Sequence, residues 1–206
     1  MRVPRALPLV LLAAGITVGR GLEGQARHWP RGVYVVLGAD GALLHPEETR
    51  EPVGAIGPAA GVGVALSRHV SVELNLRRVR YPAPESAGWN RPGDFDLRYL
   101  QVAIQPVVAL YHSPYASLYG GPRVSLNRKT TENTRIFLDP AVSGGLGLGL
   151  VAGVRALWGS RLGFDVAAYG EGQWFGDLVA GGARVPGTGT NAAWFGMRAL
   201  AIAFPF

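Results

Sequence analysis

The residues of this chain that could act as a nucleophile, a base or an acid are few, because it contains four histidines and no cysteine. A serine hydrolase needs a serine, a histidine and a carboxylate that converge on one point. His112 and Ser113 are adjacent, but they fall in a predicted tight turn, and neighbours on a strand point in opposite directions. We therefore expect no catalytic site, and a lipid-modifying enzyme is the less favoured of the functional alternatives.

Metal and phosphate sites are equally poorly supported. The nearest candidate for a metal site is His45 with Glu47, Glu48 and Glu51, which we interpret as a solvated acidic loop. Residues 145–149 alternate glycine and leucine, but no Gly-Lys-Ser/Thr follows, as a phosphate-binding loop would require. We expect no metal and no cofactor.

A second kind of polar residue recurs at every other position of long apolar segments. Glu73, Asn75 and Arg77 alternate with Leu74 and Leu76, for example. Successive side chains of a strand point to opposite faces, so each segment has an apolar and a polar face. We expect the polar faces to line a barrel interior in which arginines meet carboxylates, because an isolated buried charge is costly. This predicted lumen network comprises Glu73, Asn75, Arg77, Gln101, Gln105, Tyr119, Arg123, Arg155, Asp165, Tyr169, Glu171 and Gln173.

The elements that carry these side chains are eight segments with period-two hydrophobicity. We predict strands at 32–39, 53–66, 70–81, 96–111, 115–128, 141–157, 161–176 and 191–206. Short breaks alternate with long ones, the latter at 40–52, 82–95, 129–140 and 177–190. In an up-and-down meander this alternation puts all short turns at one end and all long loops at the other, as in outer-membrane barrels. Inward glycines, such as Gly63 and Gly147, leave room for large neighbours in a narrow lumen.

A soluble β-sandwich would show the same alternation, so periodicity alone leaves both architectures open. Three features favour a transmembrane barrel. The segments are longer than ordinary strands. Aromatic residues lie near their ends, where membrane interfaces would be: Tyr81, Tyr111, Tyr115, Trp158, Trp174 and Trp194. The last segment is amphipathic up to the terminal phenylalanine.

With this layout, residues 32–206 resemble the small outer-membrane β-barrel family, of the opacity-protein and OmpX-like kind. The resemblance lies in layout and in hairpin phrases such as residues 61–76 and 154–166. It implies an all-β, eight-stranded antiparallel up-and-down transmembrane barrel in the outer membrane. Phe204 and Phe206 look like the end of a terminal strand that the barrel assembly machinery reads, and outer-membrane lipids would be partners.

The N-terminus has the layout of an export signal. Arg2 and Arg5 precede an apolar run at 6–18, which is followed by small residues around Ala26. The run is shorter than the roughly 20 residues that a spanning helix needs. We predict a cleavable signal peptide at 1–26, with the barrel at 27–206.

The net charge of +6 superficially resembles that of a nucleic-acid-binding protein. The excess is almost all scattered arginine, with Lys129 the only lysine, and no basic patch with interleaved aromatics is apparent. We expect no nucleic-acid partner. The favoured function is a non-enzymatic outer-membrane protein with an envelope-structural role or an unknown surface partner reached through four loops, and the alternative is a narrow porin-like channel.

Three arginines depart from the expected alternation. Arg198 shares parity with the apolar residues of the last strand, and Arg78 and Arg80 share parity with Leu74 and Leu76. An arginine that faces lipid near the midplane costs about 2–4 kcal/mol. We expect a β-bulge or a position near the extracellular interface to account for each case, with a switch of parity at Arg77 and Arg78.

Overall fold

The computed structural model describes residues 32–46, 52–67, 69–82, 96–113, 116–132, 139–158 and 162–205. Eight long strands carry the fold. They are β1 (Gly32–Pro46), β2 (Val53–Ala65), β3 (Val70–Pro82), β4 (Asp96–His112), β5 (Ala116–Glu132), β6 (Ala141–Trp158), β7 (Leu162–Phe175) and β10 (Thr190–Pro205). Two short strands, β8 (Leu178–Ala180) and β9 (Ala183–Val185), form a hairpin between β7 and β10.

The eight long strands form one closed antiparallel barrel. Each pairs with its neighbour in the chain from β1 to β7, and β10 lies between β7 and β1. Closure satisfies the backbone groups that an open sheet would leave unpaired at its edges. No helix in the described part of the chain is both long enough and apolar enough to cross a membrane.

The predicted fold class is confirmed, but the first strand is longer than expected. The sequence around Asp40 and Gly41 suggested a loop from residue 40, whereas β1 continues to Pro46. The alternation in fact persists, since Asp40, Ala42 and Leu44 are all buried inside. An acidic residue at this point did not end the strand because it pairs with Arg77 across the interior.

The barrel is inside out relative to a soluble protein. Its outward side chains are mostly apolar, and many are largely exposed, including Ile56 at 78%, Leu150 at 68% and Leu126 at 62%. Its inward side chains are mostly polar or aromatic, with aliphatic residues such as Val36 and Leu44 among them, and they are almost fully buried. A continuous apolar exterior of this extent is a surface suited to lipid and not to water. The sandwich alternative is therefore wrong, since that fold would bury the apolar face.

A β-bulge accounts for Arg198. The register of β10 shifts by one residue between Arg198 and Ala201 against β7, and the same irregularity appears against β1. Arg198 consequently points inside, where it is 2% exposed. The expected switch at Arg77 and Arg78 is wrong, because β3 pairs without irregularity with both neighbours. Arg78 and Arg80 face outward at the long-loop end of β3.

Two of the predicted interfacial aromatics lie inside the barrel. Tyr81 and Trp194 are 1% and 0% exposed. Each continues the inward parity of its strand, with Arg77 in one case and Arg198 in the other. Tyr111 and Trp174 are on the outside, as expected of interface residues.

Inward glycines make room for three tyrosines. Tyr34 lies opposite Gly63, Tyr119 opposite Gly153 and Tyr169 opposite Gly196 in the register of adjacent strands. A Cβ atom added at any of these glycines would overlap the ring of its partner. Each ring therefore covers the backbone of the neighbouring strand, which lets a large polar side chain fit within a narrow barrel.

Replacing Gly153 by alanine should destabilise the barrel by about 1–3 kcal/mol, because the new methyl group would press on the Tyr119 ring. Gly144 on the same strand is the matched control, since a Cβ there meets nothing within 4 Å. Urea unfolding in detergent micelles measures both variants. Equal stability of Gly153→Ala and Gly144→Ala would contradict this account.

Candidate functional site

All twelve residues of the predicted lumen network lie in the barrel interior. Tyr169 and Glu171 are the most exposed of them, each at 4%. They come from five strands, β3 to β7, and their side chains converge because each strand places alternate residues on the inner wall. The structure shows which of them meet, and it adds partners from β1 and β10.

Glu73 is held near the short-turn end of the interior. It accepts hydrogen bonds from the hydroxyl of Tyr34 at 2.7 Å and from Gln105 Nε2 at 2.9 Å. Its Oε1 atom also forms an ion pair with Arg155 Nη2. The carboxylate thus has donors on both of its oxygens, which offsets its removal from water.

Asp165 joins two arginines from different strands. Arg155 Nε lies 2.6 Å from Oδ2, and Arg198 Nη2 lies 2.6 Å from Oδ1. The hydroxyl of Tyr119 donates to Oδ1 at 3.0 Å. Arg198 also reaches across the lumen, where its Nη1 donates to Asn75 Oδ1 at 2.9 Å. The bulge in β10 therefore delivers a cation to the centre of the network.

Glu171 forms a third centre, with Arg123 as its ion-pair partner. Gln101 Nε2 and the hydroxyl of Ser125 donate to its Oε2 at 2.9 and 2.8 Å. Arg123 donates in turn to the side-chain oxygens of Gln101 and Gln105. The two glutamines use both ends of their amides, so they link cations to carboxylates.

Arg77 forms an ion pair with Asp40 and is stacked on aromatic rings. Its guanidinium carbon lies 3.7 Å from the centre of the Tyr169 ring and 6.0 Å from that of Trp194. The guanidinium carbon of Arg123 also lies near this tyrosine, 4.9 Å from the centre of the Tyr169 ring. Cation–π contacts of this kind stabilise a desolvated guanidinium. Arg77 is therefore the junction between the charged network and an aromatic layer.

The interior is charge-balanced among the residues that the structure describes. Its buried ionisable side chains, tyrosines aside, are four arginines and four carboxylates: Arg77, Arg123, Arg155, Arg198, Asp40, Glu73, Asp165 and Glu171. Each arginine lies within ion-pair distance of at least one carboxylate. Equal numbers leave no net charge to be compensated by bound ions.

An aromatic layer fills the interior on the long-loop side of this network. The Tyr99 ring packs against those of Tyr81, Phe175 and Trp194, with centroids 5.6, 5.6 and 6.1 Å apart. The side chain of Leu44 is buried in the same cluster. Large rings packed in edge and tilted geometries leave little free volume. The described interior is therefore filled from the charged network to this layer.

The similarity of this chain to known proteins lies in its fold. No protein-family model matches the chain, and no curated protein matches it. Among solved structures, Neisserial surface protein A (NspA) is similar with a TM-score of 0.60 and 17% identity, over 86% of this chain and 99% of that one. OprG from Pseudomonas aeruginosa is similar with a TM-score of 0.53 and 12% identity, over 89% and 100%.

This chain has the fold of a small outer-membrane β-barrel. The apolar exterior described above agrees with a location in the outer membrane. The predicted resemblance to small outer-membrane barrels is confirmed at the level of the fold. The barrel's predicted signal peptide at 1–26 and the terminal Phe206 lie outside the described residues. Phe204 is the register partner of Val35, so the last strand seals the barrel against the first.

Sequence reasoning missed several members of the network. Asp40 and Tyr34 were not predicted as members, and Asp40 lies beyond residue 39, where β1 was expected to end. Arg198 was expected to need a β-bulge or a position near the interface, and the bulge in β10 confirms the first of these, but the sequence did not place Arg198 in the network. Ser125 and Asn127 share the parity of Arg123, so the alternation of β5 contained the signal that would have found them.

The groups considered for catalysis and metal binding are not assembled into a site in the described part of the barrel. The Ser113 hydroxyl donates to the carbonyl of Ala116 and accepts from its amide, both at 3.0 Å, so it serves the turn. No group of three or more histidine, aspartate or glutamate residues suited to a metal occurs among the described residues. Glu47, Glu48 and Glu51 lie outside them.

The fourth long loop contains the unpredicted hairpin of β8 and β9, which is organised by Asp177. Its Oδ2 accepts from Arg184 Nε at 2.8 Å, and its Oδ1 accepts from the amides of Thr188 and Gly189 at 3.2 and 3.1 Å. These hydrogen bonds, that of Arg184 above all, lower the pKa of Asp177. The hairpin also pairs with the barrel wall, Val179 opposite Val142.

Replacing Arg77 by glutamine should destabilise the barrel by about 3–5 kcal/mol, because Asp40 would be left as an unpaired buried charge. The neighbouring Arg78 is the matched control, since it faces outward and its replacement by glutamine removes the same charge. Unfolding by urea in zwitterionic micelles compares the two variants. We expect Asp40→Asn to recover part of the loss in the double variant, and additive losses would contradict direct pairing.

Replacing Asp177 by alanine should loosen the fourth loop without affecting the barrel, because two backbone amides and Arg184 lose their acceptor. Since the pKa of Asp177 is lowered in the folded loop, its contribution is complete above the ordinary carboxyl pKa and declines as the pH falls below it. Hydrogen exchange at Thr188 and Gly189, corrected for intrinsic rates, measures both effects. Unchanged protection of these amides in the variant at neutral pH would contradict the role of Asp177 in organising the loop.

Proposed function

We propose that this protein is a non-enzymatic integral outer-membrane protein, whose closed barrel carries four long loops at the cell surface for an envelope-structural role or for surface recognition. The observation that supports this most directly is the filled interior. Its charges balance, the amides of Gln101 and Gln105 link arginines to carboxylates, and an aromatic layer covers it on the long-loop side. A barrel of this kind acts as an anchor, and its variable contacts lie in its loops.

The alternative of a narrow channel requires a continuous aqueous path through the barrel. Eight-stranded barrels are about wide enough for side chains to fill them, and here each of the four interior arginines is paired with a carboxylate on another strand. An ion would have to displace these pairs and then pass the rings around Tyr99. We therefore place conduction second.

A lipid-modifying activity is the third candidate, and it has less support. The interior carboxylates Glu73, Asp165 and Glu171 are buried and bound to arginines, so they are poorly placed to act as bases toward a lipid. Incubation of the purified barrel with outer-membrane lipids, followed by mass spectrometry, tests this point. New lipid species would overturn the non-enzymatic part of the proposal.

Assembly partners follow from the same proposal. Export would deliver the chain to the barrel assembly machinery, which would read the terminal strand containing Phe204 and Phe206. Outer-membrane lipids would then surround the apolar band. A detergent-extracted membrane fraction should show a heat-modifiable electrophoretic mobility, the signature of a compact barrel, and recovery in a soluble fraction without a mobility shift would contradict membrane insertion.

The purified barrel should give no steady single-channel current in planar bilayers, because charged side chains and aromatic rings fill its interior. A double variant that replaces Tyr99 and Arg123 by alanine tests the reason, since it removes one large side chain from each layer and should admit intermittent current if it remains folded. Heat-modifiable mobility checks the folding of both proteins. Steady conductance of the unmodified barrel would favour the channel instead.

A further inference from the structure

Four arginines face outward from one sector of the barrel wall. They are Arg78 and Arg80 on β3, Arg98 on β4 and Arg128 on β5, and we refer to them as the arginine patch. Three are exposed and Arg98 is half-buried. The other arginines described on the eight barrel strands are buried inside. The outward arginines are therefore confined to three adjacent strands.

The arginine patch begins where the apolar exterior of these strands ends. Moving toward the long loops, the last outward leucine is Leu76 on β3, Leu100 on β4 and Leu126 on β5. In each strand the next outward residue is an arginine of the patch. The change on β4 lies one outward residue farther toward the loops than on β3 and β5, because Leu100 is level with Arg78 and Arg128. A change from leucine to arginine at nearly the same level on three strands marks the boundary between lipid tails and headgroups.

The strand register brings the four arginines close together. Arg80 lies directly opposite Arg98, and Arg78 and Arg128 lie on either side of Leu100. With strands about 4.8 Å apart, the backbone positions of Arg78 and Arg128 are separated by roughly 10 Å. The patch therefore presents several guanidinium groups within reach of one headgroup.

We infer that the arginine patch binds phosphate groups on the headgroup of an outer-leaflet lipid, an inference that rests on the proposed membrane location. A planar guanidinium donates two parallel hydrogen bonds to phosphate oxygens and keeps its charge at any physiological pH. Charge complementarity and depth agree, because the patch opens sideways, directly beyond the apolar band. A soluble acidic protein would instead approach from the loop end.

Position, and not the lack of other partners, carries this inference. Arg80 and Arg98 also interact within the protein. The acidic positions of the same strands, Asp96 and Glu132, come beyond the patch on the loop side in the backbone register. On its lipid side the patch borders Leu76 and Leu126, with Val102 between them in the strand register.

Binding of lipid A, whose headgroup carries phosphate, to the purified full-length barrel in neutral detergent micelles tests the inference. Native mass spectrometry titrates the wild-type protein and the triple variant Arg78→Gln, Arg98→Gln, Arg128→Gln. Each basic residue at a membrane surface contributes about fivefold to the affinity for an anionic lipid, so we expect the triple variant to bind on the order of 100-fold more weakly. The single variant Arg78→Gln should bind roughly fivefold more weakly.

Two controls match the charge and the chemistry. Arg184→Gln removes one exposed arginine from the loop hairpin and should bind as the wild type does. The triple lysine variant keeps the charge and should bind within about tenfold of the wild type. Equal binding of the triple glutamine variant, or equal binding of dephosphorylated lipid A to the wild type, would overturn the inference. Such a result would leave the closed membrane barrel intact, whereas loss of heat-modifiable mobility in the wild type would contradict the barrel itself.

Discussion

The constraint on which this structure depends is the neutralisation of charge inside a wall that faces lipid. An isolated ion in such an interior costs several kcal/mol, and the cost is repaid only if its partners are close and its remaining hydrogen bonds are made. Each of the four buried arginines is paired with at least one of four buried carboxylates among the described residues. Because their partners come from different strands, the ion pairs also oppose any slip in strand register, which would carry charges to the lipid side.

Size and shape in the interior follow from the same requirement. Arginine, tyrosine and glutamine side chains are long, and an eight-stranded barrel is narrow. Glycine, which has no side chain, therefore lies opposite each of three bulky interior tyrosines, Tyr34, Tyr119 and Tyr169. Farther toward the loops, aromatic rings around Tyr99 take the place of the ions and fill the space by ring packing. Packing and electrostatics are thus divided between two layers of one lumen.

Most of the fold and of the interior could be predicted because period-two alternation is preserved over most of every strand. All twelve lumen residues named from the sequence are on the inner wall, since parity alone assigns the face once a strand is recognised. Parity fails where the backbone departs from it, as at the β-bulge that turns Arg198 inward. It is also silent about partners across the lumen, so the pairing of Asp40 with Arg77 required coordinates. The Asp177 hairpin was missed because its strands are three residues long.

The paired charges of the interior disfavour a ligand site inside the barrel. Any ligand that entered the lumen would have to replace ion pairs such as Arg123 with Glu171 that already satisfy each other, and this cost selects against binding there. The exterior, in contrast, is uneven around the barrel. Outward arginines cluster on β3 to β5, and the β8–β9 hairpin pairs with β6 at Val142. We therefore expect recognition to involve the outward arginines of β3 to β5 or the β8–β9 hairpin, because the charges inside the barrel already neutralise one another.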